Sequence, residues 1–177
     1  MMDERRARSL QGGRWTALLR GLLWGCVIAV AVLIFLFSAQ DGPDSSAASD
    51  VLARFIAGLI DPEAETLPET DQRSVLTFVR KLVRKGAHFS EFAALGFFIR
   101  LLVSTYGLRR PTRLSWLAGT LYACTDELHQ LFVADRAGMW QDVLLDSCGV
   151  LGGVTAAYAL LVLWQRYGRR LRRVRRT

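Results

Sequence analysis

A chain of 177 residues is the size of one domain, and its 51% hydrophobic residues and net charge of +7 suit either a basic nucleic-acid-binding protein or a membrane protein. The positions decide between them. The arginines stand in short blocks beside long apolar runs, which excludes nucleic acid as the partner and matches cytoplasmic loops retained by the positive-inside rule. The three cysteines, Cys26, Cys124 and Cys148, lie within apolar runs and supply neither a disulfide framework nor a metal-ligand spacing.

In chain order, a basic N-terminus (residues 1–20) carries Arg5, Arg6, Arg8, Arg14 and Arg20. An uncharged run, Gly21 to Phe37, follows and reaches the lower edge of the roughly 17–25 residues that a spanning helix needs. It is longer than a typical signal-peptide core and no small-x-small cleavage site closes it. The loop 38–85 opens on a turn-rich segment containing Asp41-Gly42-Pro43. Val51, Leu52, Phe55, Ile56, Leu59 and Ile60 then recur at one-faced helical spacing, ended by Asp61-Pro62. A second amphipathic stretch sets Val75, Leu76, Val79, Leu82 and Val83 against Arg73, Arg80, Lys81 and Arg84. Both stretches read as helices lying in the outer headgroup layer, with a small cap packed on itself as the alternative.

Three further spans are expected at about 86–103, 114–133 and 142–164, followed by a basic tail, 166–177. The expected fold is all-α, a four-helix transmembrane bundle over residues 21–165 with short interfacial amphipathic helices in the long outer loop. Four crossings place the N-terminal block, the Tyr106–Arg113 loop and the tail on one side, and all three are basic. The loop 38–85 carries eight acidic residues between Asp41 and Asp71. The chain therefore reads as a multi-pass protein of the cell membrane with both termini in the cytoplasm. Arg80, Lys81, Arg84 and Lys85 run against this charge bias and read as headgroup-binding residues.

An ionisable group at mid-span costs roughly 2.5–3.5 kcal/mol on insertion scales, so each one asks for a reason. His88 and Glu91 fall in the first turns of the second span. Asp126, Glu127, His129 and Gln130 fall in the last turns of the third; Asp142 and Asp146 open the fourth; Gln40 lies just past the first. The topology delivers all of them to the outer third of the membrane. His88 with Glu91, Asp126 with Gln130, Glu127 with Gln130, and Asp142 with Asp146 each share a helix face. Arg136, in a tight loop with Gly138 available for a turn, is placed to neutralise Asp126, Glu127 or Asp142. The candidate ligand-binding residues are His88, Glu91, Asp126, Glu127, Gln130, Arg136, Asp142, Asp146 and Gln40. Gly149 and Gly153 form a small-xxx-small pair that lets another helix approach.

Phe37-Ser38-Ala39-Gln40, Arg84-Lys85-Gly86-Ala87-His88 with Glu91-Phe92 and Leu95-Gly96, Asp126-Glu127 with Gln130, then Arg136, Asp142, Gly149 and Gly153 resemble, in this order, the VanZ-like family of bacterial membrane proteins. The resemblance covers about residues 35–160. The family commonly has Asn where this chain has Asp146, which adds a potential negative charge. The family takes its name from a protein giving low-level resistance to teicoplanin, a lipoglycopeptide, so the resemblance implies a role at the outer envelope. Three readings follow. The first is a non-enzymatic protein that handles a polyprenyl-phosphate cell-wall precursor or a lipidated antibiotic, with membrane lipids as further partners. The second is an enzyme on the same kind of substrate, in which His88, Glu91, Asp126, Glu127 and Asp142 bind a divalent metal or serve as acid and base, and the third is a structural bundle without a ligand. No cofactor is expected. HExxH and DDxxD spacings are absent, which argues against a metal, and no Ser or Cys nucleophile stands beside a base in the motif pieces.

Overall fold

The computed structural model describes residues 2–39, 55, 56, 58, 69–133 and 139–174. Among them are four long helices: α1 (Met2–Ser38), α2 (Glu69–Ser104), α3 (Pro111–Gln130) and α4 (Trp140–Val174). Three contain segments long and apolar enough to cross a membrane, Gly13–Ser38, Arg73–Ser104 and Trp140–Arg169. The chain is a multi-pass membrane protein.

Successive helices run antiparallel. Arg20, midway along α1, donates from Nη2 to the Thr105 carbonyl at 2.6 Å, just past the end of α2. The α3 helix returns alongside α1: Tyr122 Oη donates to the Ala31 carbonyl at 2.6 Å, and Gln130 Nε2 donates to Ser38 Oγ at 2.9 Å. The α4 helix runs parallel to α2, with Asp142 beside Lys85 and Tyr158 beside Arg100. The bundle thus has a basic end, holding Arg20, Thr105 to Arg113 and the C-terminal part of α4. It also has a polar end, holding Ser38, His88, Gln130 and Asp142.

The core is Ile34, Phe92, Leu95, Ala123, Val150 and Val154, drawn from all four helices. Small residues set the α2–α4 distance. A Cβ on Gly149 would lie 2.5 Å from the Phe89 carbonyl oxygen, and one on Gly153 would collide with the Ala93 carbonyl. The expected small-xxx-small face is therefore the face against α2, where the backbones touch. Between α2 and α3 the turn contains Gly107 at φ 65°, a left-handed conformation that suits glycine, and Pro111 starts α3 where its missing N–H costs nothing.

Two sequence expectations change. The stretch 73–84 is not a separate interfacial helix ending before a span at Gly86. It is the first half of α2, which runs unbroken for 36 residues, about 54 Å at 1.5 Å per residue. One glycine costs a helix only about 1 kcal/mol, and α2 runs straight through it. Val79 is buried with Val75, Leu76 and Val83 against Ile56, so this half of α2 packs on the preceding amphipathic stretch. Of that stretch, Phe55, Ile56 and Gly58 are described, and the rest lies outside the described residues.

The second change concerns α3, which is not apolar enough by composition to count as a span. Its buried face is Ser115, Gly119, Ala123, Asp126, Glu127 and Gln130, while Leu114, Leu117, Leu121 and Leu128 are exposed. Polar residues inside and leucines outside is the pattern of a helix whose surroundings are lipid. Exposed aromatics bracket the bundle in the same way. Trp15, Tyr106, Trp164 and Tyr167 ring the basic end, and Phe132 and Trp140 mark the polar end, as interface anchors do.

Candidate functional site

At the polar end the helices do not close on each other. Lys81, Arg84, Lys85 and His88 recur on one face of α2 at offsets of three, four and seven residues, which aligns them along the groove between α2 and α4. On α4, Asp142, Leu145 and Asp146 form the facing stripe. Glu127 and Gln130 complete the wall from the last turn of α3, and Met139 closes it where α4 begins. Together these ten residues line a cavity of about 350 Å³.

The rim is cationic and the floor anionic. Lys85 Nζ meets Asp142 Oδ1 at 2.5 Å, with Lys85 half exposed. Glu127 Oε2 accepts the Met139 backbone N–H at 2.9 Å, a carboxylate held at the N-terminal end of α4 where the helix dipole favours it. Deeper, Asp126 is 3% exposed and Asp146 1% exposed. Gln130 Nε2 donates to Ser38 Oγ and, at 3.4 Å, to Asp126 Oδ2. Asp126 Oδ1 and both Asp146 oxygens have no hydrogen-bond partner among the described residues. Asp146 lies in the field of four other carboxylates, those of Glu127, Asp126, Asp142 and Glu91. One potential ligand atom from each of His88, Asp126 and Asp146 lies within 4.8 Å of the other two. Three helices supply these three atoms.

Of the residues singled out from sequence, His88, Glu127, Gln130, Asp142 and Asp146 share the cavity with Lys81, Arg84 and Lys85. Asp126 sits beneath Gln130. Glu91, one turn inward of His88, does not line the cavity; its Oε2 is buried without a hydrogen-bond partner among the described residues and lies in the field of the Asp126 carboxylate. Arg80 is not on the cavity wall. Gln40 and Arg136 lie outside the described residues; among those described, the cation that meets Asp142 is Lys85.

Three polar residues were not among the candidate ligands read from the sequence. Ser38, fully buried, holds Gln130; its position as the last polar residue of the first apolar run was the available signal. Ser147, next to Asp146, receives Trp116 Nε1 at 3.1 Å and shares a hydrogen bond with Thr120 at 2.9 Å, pinning the top of α4 to α3. Arg100 is a charge inside the second span, 6% exposed, with its guanidinium 5.9 Å from the Tyr158 ring centroid. It borders a second cavity of about 490 Å³ toward the basic end.

A family model described as VanZ/LLP1 matches residues 23–163. No curated protein and no solved structure matches the chain.

Proposed function

The chain belongs to the VanZ/LLP1 family, and from that premise we propose that it crosses the membrane four times with both termini in the cytoplasm and binds the anionic headgroup of an envelope amphiphile at the outer leaflet. Arginine placement supports the orientation, because the basic end collects Arg14, Arg20, Arg109, Arg110, Arg113, Arg166 and Arg169. The inside-out face of α3 supports the fourth crossing.

The observation that carries the headgroup reading is the cavity with Lys81 and Arg84 on its wall, neither in an ion pair among the described residues. A phosphate would give both a charge-assisted partner. Phe78, Leu82, Phe132 and Trp140 are exposed at the same end and offer apolar surface to attached chains. Polyprenyl-phosphate cell-wall precursors and lipidated antibiotics both combine an anionic or polar head with such chains. Binding requires no nucleophile, and this reading assigns no reaction. A purely structural role fits less well. Structural polar groups in a bundle hydrogen-bond across helices, whereas both oxygens of Asp146 lack a partner among the described residues.

The test uses the full chain in phosphatidylcholine nanodiscs and compares a polyprenyl phosphate with the same polyprenol lacking phosphate. The phosphate binds and the alcohol does not. The double charge reversal Lys81→Glu with Arg84→Glu weakens binding by about tenfold or more, since a hydrogen bond to a charged group contributes roughly 1.5–3 kcal/mol. Equal binding of both compounds would contradict the reading.

A further inference from the structure

We propose that His88, Asp126 and Asp146 form a binding site for one divalent transition-metal ion beneath the floor of the polar cavity. The three residues come from α2, α3 and α4, and a potential ligand atom of each lies within 4.8 Å of the other two. An ion held at roughly 2.0–2.2 Å from nitrogen and carboxylate oxygen draws such a set together by about an ångström, a change that side-chain torsions supply.

Burial makes the case independently of the distances. Asp146 is 1% exposed with both oxygens unpartnered, and Asp126 is 3% exposed with Oδ1 unpartnered, among the described residues. An ionised carboxylate without a partner is among the costliest groups to bury. Here two carboxyl groups lie together with one imidazole, with Glu91 and Glu127 adding to the negative field, and nothing among the described residues compensates the pair if it is ionised. Among the described cations, Lys85 is paired with Asp142, and Lys81 and Arg84 stand at least one turn outward of His88. A dication at the shared focus compensates both carboxylates at once. No sequence motif singles out this set, because metal motifs are read as spacings along one chain segment and these ligands lie 38 and 20 residues apart.

The donor set restricts the ion. One imidazole nitrogen and two carboxylate oxygens suit Zn²⁺, Mn²⁺ or Fe²⁺. Mg²⁺ and Ca²⁺ favour all-oxygen shells. No thiolate takes part, since Cys124 and Cys148 are exposed and outside the cluster.

The experiment needs no lipid ligand, so it is separable from the headgroup reading. Full-length protein, purified with a histidine-free tag and stripped with EDTA, is titrated with Mn²⁺ by electron paramagnetic resonance and then competed with Zn²⁺. One Mn²⁺ binds per chain and Zn²⁺ displaces it. Asp146→Asn and Asp126→Asn each lower affinity by about 100-fold or more, because even residues behind the direct ligands are worth roughly 10–100-fold. A variant with Cys26, Cys124 and Cys148 all changed to Ser keeps the site. If Asp126→Asn does not fold, the wild-type stoichiometry and Asp146→Asn decide. No saturable Mn²⁺ or Zn²⁺ binding to the wild type overturns the proposal, and so does binding that survives Asp146→Asn or disappears with the cysteines.

Discussion

The two ends of the bundle handle charge in opposite ways. At the basic end Arg20 is satisfied in three directions. Nη2 donates to the Thr105 carbonyl at 2.6 Å, Nε donates to Thr105 Oγ1 at 3.2 Å, and the guanidinium lies 4.3 Å from the Tyr106 ring centroid. Trp24 Nε1 donates to Tyr106 Oη at 3.1 Å and completes the cluster. At the polar end, buried carboxylate oxygens of Glu91, Asp126 and Asp146 have no such partners among the described residues. The first end is complete as structure; the second is arranged around charge that the four helices leave uncompensated. Arg100 is the exception on the basic half, with Nε and Nη1 unpartnered among the described residues beside the second cavity.

Substitutions can break this contrast. The largest effect belongs to Gly153→Leu, which drives a side chain into the Ala93 backbone and forces apart the contact that both ends share. Overpacking costs typically about 1–3 kcal/mol, and backbone opposition puts this case at the upper end. Thermal unfolding in detergent measures it. Gly152→Ala, with only the Phe89 ring edge at 3.8 Å, serves as the neutral control. Equal stability of the two variants would remove the close α2–α4 contact from the account.

Next come two variants of opposite sign. Arg20→Ala removes charge-assisted hydrogen bonds and lowers stability by about 1.5–3 kcal/mol. Asp146→Asn, in metal-free protein, keeps the shape and exchanges a carboxyl that must either bury a charge or hold a proton for a neutral amide, and it raises stability by about 1 kcal/mol. A fall in melting temperature for metal-free Asp146→Asn would mean that its carboxylate is compensated within the protein, and the contrast between the ends would fail. The smallest effect is that of Lys85→Ala. Its pair with Asp142 is half exposed on the lysine side, which limits it to about 0.2–1 kcal/mol, weakening as salt is added. A larger, salt-independent loss would show Lys85 to be part of the buried network.

These contrasts also separate what the sequence reveals from what needs the fold. The α1 span is legible because Gly21 to Phe37 is uncharged, and the glycine face of α4 because Gly149 and Gly153 are four residues apart. The start of α2 is not legible. Gly86 and the basic residues before it look like a boundary, yet the helix runs through them, with Val75, Leu76, Val79 and Val83 clustered before it and Phe92 and Leu95 in the bundle core after it. In α3 the sequence shows which residues are polar but not that they face inward, which is visible only in the bundle. Candidate ligands are readable as ionisable groups within spans, but the meeting of His88, Asp126 and Asp146 is tertiary, since each stands on a different helix. Arg100 is visible in the sequence as a charge within a span; its burial against Tyr158 is visible only in the bundle.

The central claim is that the polar end opens on the outer leaflet, and it rests on four crossings. Reporter fusions test it most directly, with one reporter after Arg176 and another between Asp61 and Asp71. Four crossings with cytoplasmic termini predict a C-terminal reporter inside and a loop reporter outside. A C-terminal reporter accessible in intact cells would contradict the account, leaving three crossings or the reversed orientation.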